Sequence, residues 1–183
     1  IGAASGSTSN LASVTLVGDT GINLGGDITT ADTAGGAIQI TGPVTLTADV
    51  DIDADANNTT VTFASTSTVN ATSAGTQGLT INTGAGNISM GGAIGGTTKL
   101  KDLSINSATT GAGDIALANI GSSTDGVHGA TSIGNANTGT INLNGSVYKT
   151  VGSQTYQASA TGDDSGDNIN ICLLYTSPSP RDL

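Results

Sequence analysis

Ile88-Ser-Met-Gly-Gly-Ala-Ile94 is one copy of a phrase that recurs down the chain: aliphatic, spacer, aliphatic, spacer, Gly, spacer, then Ile or Val. Further copies are Ile22-Asn-Leu-Gly-Gly-Asp-Ile28, Ile38-Gln-Ile-Thr-Gly-Pro-Val44 and Ile141-Asn-Leu-Asn-Gly-Ser-Val147. A fifth, Ile115-Ala-Leu-Ala-Asn-Ile120, is one residue short. Repetition at this scale marks a stacked, quasi-one-dimensional protein rather than an enzyme built around one pocket.

Around the phrase, the chain alternates with period two. Val14-Thr-Leu16, Val44-Thr-Leu46, Val50-Asp-Ile52, Val61-Thr-Phe63, Leu79-Thr-Ile81 and Leu103-Ser-Ile105 each put aliphatics on one face and Thr, Ser or Asp on the other. Short strands separated by Gly, Asn and Asp turns follow, and no segment carries a helical period.

Longer spacings separate a sandwich from a solenoid. Ile88, Ile115 and Ile141 lie 27 and 26 residues apart, and Ile94, Ile120 and Val147 lie 26 and 27 apart. Leu79-Thr-Ile81 and Leu103-Ser-Ile105 are 24 apart. If one coil uses this many residues, the aliphatics form ladders along an axis. About seven rungs at about 4.8 Å each would make a rod roughly 35 Å long. The Gly after the second aliphatic is expected to supply a positive φ at a tight corner. The predicted fold is therefore all-β, a β-solenoid (parallel β-helix) repeat rod. At a larger scale, Ser13 to Ile28 aligns with Ser132 to Val147 at an offset of 119 without a gap. Residues 1–171 thus read as a solenoid segment holding about one and a half copies of a 119-residue unit.

Residues 172–183 break the pattern. Cys172-Leu-Leu-Tyr-Thr-Ser-Pro-Ser-Pro-Arg-Asp-Leu183 holds the only Cys, the only Arg and two of the three Pro residues. The string Cys172 to Asp182 is similar to one reading frame of a transposon-type sequencing adapter. It is expected to be a non-native tail on an internal fragment of a longer reading frame.

Composition limits the chemistry. All fourteen acidic residues are Asp, and the formal net charge is −10. The only cations are Lys99, Lys101, Lys149 and Arg181. Few cations argue against nucleic acid and against an anionic membrane surface as partners. No apolar run reaches the length of a membrane span, so this segment is not expected to insert. Absence of Cys before residue 172 fits an exported protein without disulfides and equally a cytosolic one. High Gly and Ser with 2% aromatics is also the composition of disordered tracts, but those lack periodic β-branched residues.

No catalytic, cofactor-binding or metal-binding residue is assigned, and no cofactor is expected. The densest charge feature is Asp49-Val-Asp-Ile-Asp-Ala-Asp55. On a strand, Asp49, Asp51, Asp53 and Asp55 share one face while Val50, Ile52 and Ala54 face the core. Its reading as a solvated outer face is preferred to a Ca²⁺ site. Asp163-Asp-Ser-Gly-Asp167 has the same two readings. Gly111-Ala-Gly-Asp-Ile-Ala-Leu117 approaches a Ca²⁺-binding nonapeptide but lacks its spacer and a tandem copy. His128 is the only histidine and has neither Cys nor a carboxylate at a triad or zinc spacing. Asn57, Asn58, Asn70, Asn87 and Asn144 begin N-x-Ser/Thr sequons, several of which chance would supply in so Asn- and Thr-rich a chain. Thr45-Leu-Thr47 and Thr60-Val-Thr62 do not recur at rung spacing, as an ice-binding face would require.

Two stretches carry a family resemblance. Thr83-Gly-Ala-Gly-Asn-Ile-Ser-Met-Gly-Gly-Ala-Ile-Gly-Gly-Thr-Thr-Lys-Leu-Lys-Asp-Leu-Ser-Ile-Asn-Ser-Ala108 resembles the repeat region of very large bacterial exoproteins. These are the filamentous-haemagglutinin-like and autotransporter-type adhesins with beta strand repeats. Gly145-Ser-Val-Tyr-Lys-Thr-Val-Gly-Ser-Gln-Thr-Tyr-Gln157 is similar to a second segment of those repeats. The resemblance covers most of residues 10–171 and is more specific to repeat type than to function. It implies a right-handed parallel β-helix or related solenoid, exported and extracellular or on a Gram-negative cell surface. Through the parent protein it would meet a host-cell or glycan surface. The expected role is a structural stalk or presenting segment, without enzymatic activity. The alternatives are a surface-layer or biofilm-matrix structural protein and a polysaccharide-processing β-helix enzyme.

Overall fold

The structure, a computed structural model, describes residues 12–30, 36–108, 111–159 and 169–171. The expected tail at 172–183 and the acidic turn at 163–167 lie outside them. Sixteen short strands and one 3₁₀ turn make up the described secondary structure, with no α-helix.

The chain winds in coils. The first coil carries β1 (Val14–Val17), β2 (Ile22–Leu24) and β3 (Ile28–Thr29), one strand on each of three faces. The second repeats this with β4 (Ile38–Thr41), β5 (Val44–Leu46) and β6 (Val50–Asp53). The third does so with β7 (Val61–Phe63), β8 (Val69–Ala71) and β9 (Leu79–Asn82). Later coils keep two faces as strands: β10 (Ile88–Met90) and β11 (Leu103–Ile105), β12 (Ile115–Leu117) and β13 (Thr131–Ile133), β14 (Ile141–Leu143) and β15 (Gln154–Tyr156). The last described strand is β16 (Ile169–Ile171).

Every strand pairs in parallel with its counterpart in the neighbouring coil. The first sheet runs β1-β4-β7-β10-β12-β14-β16, the second β15-β13-β11-β9-β6-β3, and the third β2-β5-β8. Single parallel bridges extend the third face as Val69–Ile94–Ile120–Tyr148. The fold is thus an all-β solenoid, and its longest sheet has seven strands.

The alternation seen in the sequence is what the coils bury. Strands β5 and β7 through β14 all show inward residues buried and outward ones less so. Ile88, Ile115 and Ile141 align in adjacent strands, as do Leu79 and Leu103. A single cluster from Val14 to Leu143 forms the core, with Phe63 its largest side chain. Each fully buried aliphatic in such a ladder contributes about 1.5–3 kcal/mol relative to exposure.

Three expectations require correction. The ladder through Ile94 and Ile120 continues to Tyr148, not Val147. The corner there is one residue longer than in Ile88–Ile94, and Asn119 Oδ1 accepts both the Ser146 and Val147 amides in it, at 2.8 and 3.1 Å. The 119-residue offset also fails to match faces. Val14 and Ile141 share the first sheet, whereas Ile22, the partner of Ile141 in that alignment, lies in the third. All three faces use the same local alternation, so sequence alignment can slip from one face to another.

The third correction concerns glycine. Gly91 and Gly92 of the quoted phrase do not have positive φ. They are needed because a Cβ on Gly92 would strike the Ser67–Thr68 backbone of the preceding coil. Within the phrase a positive φ is found at Gly42 of the Ile38–Val44 copy (φ 116°), and other left-handed glycines, Gly95 (φ 64°), Gly121 and Gly134, directly follow a core isoleucine. A Cβ on Gly95 would also overlap the Gly126 carbonyl of the next coil.

Two substitutions test this packing. Ile115 is fully buried, so Ile115→Asp should cost at least about 3 kcal/mol by burying an unpaired charge. Gly95→Ala should destabilise by more than the ~1 kcal/mol that an unstrained Gly-to-Ala change could gain. Denaturant titration checks both. A parental midpoint in either variant would contradict the assigned ladder or corner.

Candidate functional site

The row Asp49–Asp55 lies largely as its alternation requires. Val50, Ile52 and Ala54 are buried, while Asp49 and Asp55 are exposed and Asp51 and Asp53 half-buried. The strand stops at Asp53, however, and Asp55 opens the 3₁₀ turn Asp55–Asn57. That turn ends on Asn58 in the left-handed region (φ 54°), a conformation asparagine tolerates.

Beside this row runs a groove of about 340 Å³ lined by Asp27, Asp49, Asp51, Thr80, Lys101 and Asp102, among others. Three of its four carboxylates are directed at the backbone of the following coil. Asp27 Oδ1 accepts the Asp51 amide at 2.9 Å, and Asp49 Oδ1 accepts the Gly78 amide at 2.8 Å. Asp102 Oδ1 accepts the Ala130 amide at 2.8 Å. The other Asp49 oxygen meets Lys101 Nζ at 3.3 Å across the groove. That pair is exposed and so adds little to stability.

The same device recurs on other faces with asparagine. Asn87 Oδ1 accepts the Asp114 amide, and Asp114 Oδ1 in turn accepts the Thr140 amide. Asn70 takes the Thr97 and Thr98 amides, Asn58 takes that of Ala85, and Asn119 takes two as described. In each case a short Asp or Asn oxygen reaches forward one coil; except for the Asp51 amide, which lies in β6, the N–H it satisfies is outside the strands, where pairing lapses. Inside, Asn106 performs a related task. It exchanges hydrogen bonds with Thr83 at 2.8 and 3.0 Å, while Asn135 Nδ2 donates to the Asn106 carbonyl at 2.6 Å. These polar side chains are buried, and the network satisfies turn groups that water does not reach.

The candidate sites of the sequence therefore resolve as follows. Asp114, from the calcium-like stretch, and Asn58, Asn70 and Asn87, from the sequons, act as coil-to-coil acceptors. Among the described residues, no three His, Cys, Asp or Glu side chains form a group able to hold a metal ion. His128 is exposed and lies close to Gly75, two coils back, with its amide bonded to the Leu100 carbonyl of the coil between. Thr62 stands in register between Gln39 and Ser89, and Thr45 between Asn23 and Asn70, so neither belongs to a threonine array. The forward-reaching acceptors escaped prediction as a set. Their sequence signal is position: Asp27, Asp49, Asn87, Asp102 and Asp114 each directly precede a core aliphatic.

One carboxylate in the groove is strained electrostatically. Asp51 Oδ1 is buried without a hydrogen-bond partner. Desolvation, then the charges of Asp53, Asp27 and Asp55, raise its pKa above the ordinary 3.8. Asp49 is shifted the opposite way, first by the Gly78 amide and then by Lys101.

No protein-family model matches this chain, no curated protein is similar to it, and no solved structure matches it.

The opposed shifts set a pH dependence. For Asp51 the folded form binds its proton more tightly than the unfolded form does. Its stabilising contribution is complete below the unfolded value and is lost as pH rises through the raised value. Asp49 contributes above the unfolded value and loses that contribution as pH falls through its lowered one. Asp51→Asn should therefore raise the melting temperature at neutral pH, and the gain should shrink on acidification. A variant that melts below the parent at neutral pH would contradict this. Separately, Asn119→Ala should cost about 1–3 kcal/mol by orphaning two corner amides, and Asn119→Asp should retain most of that stability. Equal losses in the two variants, measured by denaturant titration, would contradict the acceptor role.

Proposed function

We propose that the chain is a structural stalk or presenting segment of a secreted or cell-surface adhesin-like repeat protein. The observation that carries this reading is how the acidic and carboxamide side chains are used. Asp27, Asp49, Asn87, Asp102 and Asp114 are of the types from which a hydrolytic or lyase site would be built, and they are engaged in joining successive coils. A solenoid joined coil to coil by ladders and staples is suited to hold a tip away from a surface. The resemblance of residues 83–108 and 145–157 to exported adhesin repeats supports the same role.

Single-molecule stretching tests it. A stalk should resist force and then yield stepwise, each step freeing about one coil, or roughly 80–90 Å of extended chain. Collapse in one low-force event would contradict a mechanical role. Incubation with a panel of polysaccharides tests the enzymatic alternative. Depolymerisation that disappears in an Asp49→Asn, Asp51→Asn double variant would overturn the stalk reading.

A further inference from the structure

A second groove, of about 500 Å³, runs along the corner between the third face and the second sheet. Its walls come from the third to the sixth coil, from Ala74 to Lys149. Among the described residues the only cations are Lys99, Lys101 and Lys149, and two of them line this groove. Backbone pairing fixes their spacing. The Gly126 carbonyl accepts the Leu100 amide at 2.9 Å, and the Gly126 amide donates to the Lys149 carbonyl at 2.8 Å. Lys99, Gly126 and Lys149 therefore stand in register, which puts the lysines two coils, or about 9.6 Å, apart. The coil between them presents no side chain, and none fits, because a Cβ on Gly126 would strike the Gly121 backbone. Lys149 Nζ donates to the Ser123 carbonyl at 3.0 Å, and Asp125 Oδ1 lies 3.9 Å from it. Lys99 has no ion-pair or hydrogen-bond partner for its ammonium group among the described residues. The hydroxyls of Thr97, Thr98, Ser123 and Thr124 on the walls likewise bond to nothing in the described structure. In a chain of net charge −10, this groove sets two ammonium groups against one carboxylate.

We propose that this groove binds an acidic polysaccharide, whose carboxylates meet Lys99 and Lys149 and whose hydroxyls meet the threonines and Ser123. Shape favours a polymer, because the groove follows the rod across four coils rather than closing over a small molecule. The charge period favours a uronate. In an extended uronate chain with two sugars per turn, carboxylates on one side recur every second sugar, a repeat comparable to the two-coil step. Each Thr or Ser hydroxyl both donates and accepts, as sugar hydroxyls require. No aromatic or large apolar side chain lines the groove, as the anchor of a bound peptide would need. Two cations are too few to track a nucleic-acid backbone. The contacts are charge-assisted but open to solvent, so binding weakens as salt screens it. The rod can resist force with or without this ligand, so binding and mechanical strength succeed or fail separately.

Titration calorimetry of the 183-residue chain tests this, with polymannuronate and hyaluronate as probes and a neutral glucan and polyglutamate as controls. Binding of either acidic polysaccharide, weaker at higher salt, is the expected result, and the tighter of the two identifies the acid spacing. Lys99→Gln should weaken binding about tenfold, and Asp125→Asn should strengthen it, with circular-dichroism melts near the parent's. Lys149→Gln serves if Lys99→Gln does not fold. Lys101→Gln, on the lysine that pairs with Asp49 outside this groove, should bind as the parent does. Absence of binding by both acidic polysaccharides at low salt would overturn the proposal. Equal binding of polyglutamate, or a loss in Lys101→Gln as large as in Lys99→Gln, would overturn it too, by reducing the attraction to charge alone.

Discussion

Each coil of this protein buries its aliphatic side chains only against the coils before and after it. That constraint governs the rest of the structure. A coil has three or four strands or single-residue bridges, none longer than four residues, too little to enclose a core alone. Parallel pairing at a fixed axial spacing supplies the missing walls, and the inward positions become ladders. Because those ladders must stay aligned, variation in coil length is absorbed at the corners. Successive partners on the first sheet are 23 to 28 residues apart, yet the alignment holds from Val14 to Ile169.

Corners are where backbone groups would otherwise lose their partners. The chain answers with short acceptors that reach one coil forward, on Asp27, Asp49, Asn58, Asn70, Asn87, Asp102, Asp114 and Asn119. This gives the unusual composition a physical cause. Asp and Asn oxygens sit one methylene from the backbone and can meet an amide in the next coil, where longer Glu and Gln chains would lose more conformational freedom. Four of the fourteen Asp residues, Asp27, Asp49, Asp102 and Asp114, are thus structural acceptors, so acidic side chains on this surface need not mark chemistry.

How much of this was legible in the sequence follows from the range of each interaction. Period-two alternation is local, and it placed Val50, Ile52 and Ala54 inside with the Asp residues outside. Regular spacing of Ile88, Ile115 and Ile141 was long-range but exact in register, so the first-sheet ladder was readable too. Corners were harder. Tyr148 rather than Val147 follows Ile120, at a corner whose amides bond to Asn119 in the preceding coil, and no local pattern encodes that length. Gly92 was read as a turn residue, whereas its role is to admit a neighbouring coil. The 119-residue repeat misled because the faces share one vocabulary. The staples are pairs separated by a whole coil, and their partners are backbone amides, which carry no sequence signature.

Oxidative cross-linking tests the coil-on-coil register most directly. Ser89 and Ala116 stand opposite each other in β10 and β12. With Cys172→Ser as background, Ser89→Cys with Ala116→Cys places two thiols on backbones about 4.8 Å apart, within disulfide reach. Ser89→Cys with Asn142→Cys spans two coils, about 9.6 Å, beyond that reach. The account predicts rapid intramolecular disulfide formation in the first pair and none in the second. Equal rates in both, or bonding only in the second, would contradict the stacked register on which the fold rests.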